Sequence, residues 1–219
     1  CSISLGFREI PFEINRVDPG GKKFPTYPRA WFKRGVFDKS QLDRVDKFAY
    51  ECFLESGVLF PIILWPPGQR FSNMVCEELQ KFGWIAHKST LDLGDNLQDF
   101  VQSIYSCDVT IQPWKVHLKK ELLRKYGQTV DIIFFDPNNP RFRIKDSSNK
   151  TLCTSMESVK RHLRSCMEEN MEEYYYDICL HSSDNFDQNA QSIQAMKKFG
   201  WSIRGPDHLE LEEFKGRFF

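Results

Sequence analysis

An α+β sandwich, with helices covering one face of a β-sheet, is the fold class this chain predicts, and three observations lead there. From Val58 onward, helical and strand-like stretches alternate, which leaves a sheet face for helices to cover. Lys81-Phe82-Gly83-Trp84 recurs as Lys198-Phe199-Gly200-Trp201, each copy closing a helical pattern, and two copies are too few for a stacked-repeat fold. At 219 residues the chain can bury a real core, as one large domain or a domain plus an extension.

Residues 1–57 read as the extension and 58–219 as the main α+β domain. "FREIPFEI" alternates apolar and polar residues as a short strand does, and a loop rich in Pro and Gly follows. From Ser40 to Glu55 the apolar residues Leu42, Val45, Phe48, Ala49, Cys52 and Phe53 recur at helical spacing, with Ser40 as a cap and Gly57 as the stop. "GVLFPIILW" is a buried strand, "PPGQ" a turn, "FSNMVCEELQKFG" a helix and "WIAHKSTLDL" the returning strand. Two helical stretches, "NLQDFVQSIY" and "QPWKVHLKKELLRKYG", then lead to the apolar strand "VDIIFFD". "NPRFRIKDSSNKT" is a polar, turn-rich loop, "SMESVKRHLRSCMEENMEE" a helix, "YYDICLHSSDN" a strand entering a loop, and "FDQNAQSIQAMKKFG" a helix. "WSIRG" begins another extended piece before a short tail. In each Phe-Gly-Trp copy the glycine is expected to stop its helix in a left-handed conformation, with the tryptophan entering the next strand.

Thirty basic residues balance thirty acidic ones, so no global field draws the chain to nucleic acid or an anionic membrane. No stretch is long and apolar enough to cross a bilayer; "VLFPIILW" is far too short. Seven cysteines are scattered without a Cys-x-x-Cys pair or zinc spacing. Their odd number predicts a reducing compartment, hence an intracellular and cytoplasmic location. The first residue is Cys1 rather than Met, which predicts a trimmed or processed form.

His181 leaves an apolar run into Ser182-Ser183-Asp184-Asn185. The bland reading is a helix N-cap segment, in which Ser183, Asp184 or Asn185 accepts free backbone amides. The other histidines, His87, His117, His162 and His208, lie far apart, and none has a His-x-x-x-His partner. Glu168, Glu169, Glu172 and Glu173 read as a solvated helix face, and Tyr174 to Tyr176 as packing. Trp31 and Phe32, flanked by Arg29, Lys33 and Arg34, form an aromatic and basic segment suited to docking.

Over roughly residues 58–203 the element order and several residues resemble the nucleoside diphosphate kinases. "IILWPPGQRFSNMVCEELQKFGWIAHKSTL" has that family's strand-helix-strand layout; Tyr105, "QPW", "HLKKELLRKYG" and "VDIIFFD" follow in its order; and His181, Ser183 and Asp184 match the His, Ser and Asp of its His-Gly-Ser-Asp motif. The resemblance implies a ferredoxin-like βαββαβ core, and an oligomer is common in the family. It also implies phosphoryl transfer: His181 attacks the γ-phosphorus of a nucleoside triphosphate to give a phosphohistidine, with Mg²⁺ assisting, Ser183 bonding a phosphoryl or leaving oxygen, and Asp184 fixing the loop. Such a nucleophile must be neutral and held in line. At the family's functional positions Trp65 stands for the phosphate-binding lysine, Gln112 for an arginine, Ile178 for an asparagine, Ser182 for a glycine and Ser192 for the carboxylate that orients the histidine. Those departures predict weaker catalysis or a different substrate.

Cations to hold the ligand are expected from the helix before His181, where Lys160 and Arg164 share a face and Arg161 lies about a hundred degrees away. Arg141, Arg143 and Lys145 alternate with Phe142 and Ile144 and can present one basic face. The expected site is therefore His181, Ser183 and Asp184 for chemistry, with Lys160, Arg161, Arg164, Arg143 and Tyr105 binding a nucleotide or other phosphorylated ligand. A silent interaction module is the competing expectation, presenting Trp31–Phe32 or strand 141–145 to a protein or nucleic acid.

Overall fold

In the computed structural model, residues 2–4, 9–11, 39–106, 108, 111–138, 140–145, 150–172, 177–203 and 208–218 are described. In chain order they form β1 (Ser2–Ser4), β2 (Glu9–Pro11), α1 (Lys39–Glu55), β3 (Phe60–Leu64), α2 (Ser72–Gln80), β4 (Gly83–Asp92), α3 (Leu97–Ser106) and α4 (Pro113–Leu123). Next come β5 (Thr129–Pro137), β6 (Phe142–Lys145), β7 (Lys150–Cys153), α5 (Thr154–Glu168), β8 (Leu180–Ser182), α6 (Phe186–Lys198) and α7 (His208–Phe218). Single 3₁₀ turns, Pro66–Phe71 and Gly94–Asn96, lead into α2 and α3.

The chain divides into two units, residues 1–53 with 203–219, and residues 54–202. In this division residues 203–219 group with the N-terminal segment. In the first unit β1 and β2 pair antiparallel. The tail is helical there: Phe214 of α7 packs edge-on against Tyr50 at 5.4 Å, and Lys215 meets Asp46 at 3.3 Å. The Trp31–Phe32 segment and Tyr174–Tyr176 lie outside the described residues. Among the described residues no helix is long and apolar enough to cross a membrane.

The second unit is α+β and is organised by a four-stranded antiparallel sheet in the order β4-β5-β3-β8. Strands β3 and β4 run parallel with β5 inserted between them, and β5 and β8 run parallel around β3. Pro61 is tolerated in β3 because β8 pairs only with Ile62 to Leu64, so Pro61 has an open flank. The stretch 139–151, expected as a loop, holds β6 and the start of β7, which pair as an antiparallel ribbon.

Every residue of β3 is buried, which calls for cover on both faces. Side-chain alternation puts Leu64 and its partner Asp131 on one face, and Ile63 and its partner His181 on the other. The Ser72 hydroxyl of α2 donates to Asp131 at 2.7 Å on the first face. On the second, Tyr105 of α3 packs edge-on against His181 at 4.9 Å, and Trp201 stacks on Phe134 at 5.2 Å. Helices confined to one sheet face, as expected from sequence, are thus corrected. The apolar run of β3 needs cover on both sides, and α3 supplies part of the second layer.

The two Phe-Gly-Trp copies separate for physical reasons. Gly200 has φ +88°; its amide bonds the Lys197 carbonyl and the Trp201 amide bonds the Met196 carbonyl, each at 3.1 Å. That is the expected left-handed stop, in Schellman form. Gly83 has no positive φ and instead opens β4, where an added Cβ would lie 2.1 Å from the Asp136 carbonyl oxygen. Close approach, not helix termination, requires glycine there. Trp84 enters a strand as expected, whereas Trp201 does not.

Candidate functional site

Two prolines place Trp65. An extended conformation is favoured before Pro66, and Trp65 adopts it with ψ 163° while its amide donates to the Cys179 carbonyl at 2.9 Å. That bond ties the end of β3 to the segment leading into His181. The Trp65 side chain is fully buried, stacked against Tyr105 at 6.2 Å and tilted against His181 at 6.4 Å. Among the described residues its indole N–H has no acceptor in hydrogen-bond geometry.

A third polar group completes this cluster. Lys119 of α4 is 5 % exposed. Its ammonium donates to the Tyr105 hydroxyl and, at 2.9 Å, to the Asp177 carbonyl, and it lies 5.7 Å from the centre of the Trp65 ring. Burial pulls the Lys119 pKa down to about 7, with Asp177 opposing and Arg164 adding to the fall. Burial likewise raises the Tyr105 phenol. His181 falls to about 3, first through burial and then through the positive charges of Lys119, Lys160 and Arg164. Its ring is therefore neutral at physiological pH, and among the described residues it makes no side-chain hydrogen bond.

Ser183 and Asp184 have structural engagements. The Ser183 hydroxyl is buried and shares a hydrogen bond with Ser192, 3.2 Å away, the residue at the position where the family has its orienting carboxylate. Asp184 accepts from the Lys160 ammonium, which also donates to the Ser182 carbonyl at 3.3 Å. Among the three capping residues considered, Asn185 is the N-cap of α6, accepting the Gln188 amide at 2.9 Å.

The cationic helix borders a solvent-open cavity. A cavity of about 410 Å³ is lined by Lys160, Arg161, Arg164 and Ser165 of α5, by Glu157 and Glu168 on the same helix, and by Asp177. Arg164 meets Asp177 at 3.4 Å, yet its Nε–H is buried without a partner among the described residues. Asp177 is shared between the two clusters: its carboxylate faces Arg164 and the cavity, while its carbonyl holds Lys119. It is also the one described non-glycine residue at positive φ, +50°, a conformation that Asp tolerates and that is often found at functional sites.

The structure brings Lys160, Arg161 and Arg164 together on this cavity, and places His181 with Tyr105 in the adjoining aromatic cluster. His181 does not line the cavity. Arg143 is exposed and pairs with Glu157 at 3.1 Å, so it touches the cavity only through that carboxylate. Glu168, read from sequence as part of a solvated helix face, is exposed as expected and also borders the cavity. Lys119 is the residue that sequence reasoning missed. Its signal was available: it falls between the buried Val116 and Leu123 at helical spacing, a lysine on an apolar stripe. Asp131 was missed likewise; it is buried and accepts from Gln69, Ser72 and Thr90.

Neither a family model nor a curated protein matches this chain.

As for the Mg²⁺ implied by the resemblance, no three carboxylate, imidazole or thiol groups converge among the described residues. A magnesium ion held mainly through ligand phosphates, with one or two carboxylates, is compatible with Glu168 or Asp177, and no step is derived through it.

Proposed function

We propose that residues 54–202 form a divergent nucleoside-diphosphate-kinase-like domain of ferredoxin-like topology that binds a phosphorylated ligand in the α5 cavity without carrying the phosphoryl group on His181. The sheet order, with two parallel strand pairs each split by a third strand, supports the topology. One observation carries the functional reading: Lys160, Arg161 and Arg164 line a single cavity while His181 lies outside it, beside Trp65 and Tyr105. Guanidinium groups present planar forks of donors to phosphate oxygens, and a buried Nε–H gains by meeting one.

Neutrality at position 181 meets one requirement of a nucleophile. The second, an in-line approach, has no support, because the ring faces aromatic neighbours and its serine and aspartate partners are engaged elsewhere. Incubation with γ-labelled ATP and Mg²⁺ should leave no acid-labile label on the protein, while inorganic phosphate should raise the thermal midpoint. Phosphate at a hundred times its dissociation constant adds about 2.7 kcal/mol, and Arg164→Gln should abolish the gain. Label that disappears in His181→Ala would overturn the silent assignment, and a midpoint indifferent to phosphate would overturn the binding site.

A second reading rests on the β6–β7 ribbon. Phe142 is 41 % and Ile144 63 % exposed beside exposed Arg141 and Arg143, a mixed apolar and basic strip suited to a protein or nucleic-acid partner.

A further inference from the structure

We infer that the α5 cavity is built for a polyhydroxylated phosphomonoester, a sugar or polyol monophosphate, rather than for a nucleoside triphosphate. The inference rests on the phosphate-binding reading above and names the ligand class of that site.

Charge order along α5 sets the preference. Going up α5, the lining runs Glu157, then Lys160 and Arg161, then Arg164, then Glu168. Cations thus occupy the middle, with a carboxylate at each end. At about 1.5 Å per residue, the carboxylate-bearing positions are separated by roughly 16 Å along the axis, and the cationic stretch between Lys160 and Arg164 covers only about 6 Å. One phosphate fits that stretch. A metal-free triphosphate would extend from it towards Glu157 or Glu168, with Asp177 on the wall as well, and like charges brought close repel.

Hydroxyl groups reverse this preference. An ionised carboxylate is an acceptor only, so a ligand lying beside the exposed Glu168 can replace water there only with a donor such as a hydroxyl, not with a second anion. Glu157 already has Arg143 at 3.1 Å and Asp177 has Arg164 at 3.4 Å, while Glu168 has no ion-pair partner among the described residues. Ser165 contributes a hydroxyl between the cations and Glu168. A neutral polyol attached to the phosphate supplies O–H donors to this end and adds no negative charge. Among the described residues Arg161 is exposed and unpaired and the Arg164 Nε–H lacks an acceptor, so the phosphate meets donors that those residues leave open. The cavity of about 410 Å³ is within the usual range for small-molecule sites.

Calorimetric titration of the whole chain with inorganic phosphate, glucose 6-phosphate, myo-inositol 1-phosphate, glucose and ATP tests the inference. The sugar and polyol phosphates should bind about tenfold more tightly than phosphate, the scale of one added hydrogen bond to a charged group. Glucose alone should not register, and ATP should bind no better than phosphate. Glu168→Leu, a change at an exposed position, should remove the tenfold gain without weakening phosphate, since it takes away a like charge together with the acceptor for the hydroxyl. Arg161→Gln, also exposed, should weaken phosphate and sugar phosphate alike. ATP binding more tightly than the sugar phosphates, or no gain over phosphate, overturns the ligand class while leaving the anion site standing. Failure of phosphate itself to bind overturns the reading beneath it.

Discussion

Lys119 shows how a single side chain changes its chemistry through location. An ammonium with two oxygen acceptors, one of them a phenol, has lost most of its hydration, and the desolvation of a charge costs more than two neutral acceptors return. The protein therefore favours the uncharged amine relative to the unfolded chain. Between a folded pKa of about 7 and the ordinary lysine value of 10.5, the unfolded chain binds the proton that the folded protein releases, so stability rises with pH across this window. Below about pH 7 the penalty is present in full. Lys119→Met removes the charge but strands the Tyr105 hydroxyl, and should be stabilising at pH 6 by about 1–3 kcal/mol. Denaturant unfolding at pH 6 and pH 10 checks this: wild type should gain stability on going to pH 10 through this residue, and the variant should lose that rise. A variant less stable than wild type at pH 6 would mean that the ammonium is held more favourably than its burial implies.

Elements here owe their placement to a few close contacts more than to propensity. The 3₁₀ turn after β3 lies so near the strand leading to His181 that a Cβ on Gly68 would come within 2.1 Å of the Cys179 carbonyl oxygen. Backbone on both sides leaves no flexible tip to yield. Gly68→Ala should cost about 1–3 kcal/mol, as overpacking does, and displace Trp65 from His181; the denaturation midpoint reads the first effect and the His181 ring resonances the second. The α6 cap is a milder case. Asn185→Ala leaves the Gln188 amide unmet and should cost about 1 kcal/mol. The capping reading of "SSDN" was legible because Asx and Ser residues before a helix compete for the same amides. Which of them won depended on Lys160 and Ser192 engaging Asp184 and Ser183.

For the whole molecule, the sheet, its aromatic cluster and the α5 cavity all belong to residues 54–202. A fragment spanning these residues should therefore bind inorganic phosphate with the affinity of the whole chain, measured by calorimetry on both. Loss of binding in a fragment that still unfolds cooperatively would show that the first unit contributes to the site. Assignment of the tail is the larger lesson at this scale. "HLELEEFKGRFF" has helix-forming composition, but which segment receives its apolar face is a long-range choice, settled by the packing of Phe214 on Tyr50 and Phe53.

Period and punctuation determined the element order of the second unit. Runs such as "VDIIFFD" and stripes such as Met156, Val159, Leu163 and Met167 specify strand or helix locally, because alternation and helical spacing are properties of neighbouring residues. Sequence also put Lys160 and Arg164 on one helix face by their spacing, while Arg161, about a hundred degrees away, joins them only in the structure. Tertiary structure alone decided the rest: that α3 covers the second sheet face, that Trp65 packs beside His181, that Lys119 comes from a distant helix to join them, and that His181 does not line the cavity. Each depends on contacts between residues far apart in the chain, and such contacts are selected by the free energy of the packed whole rather than by any local pattern.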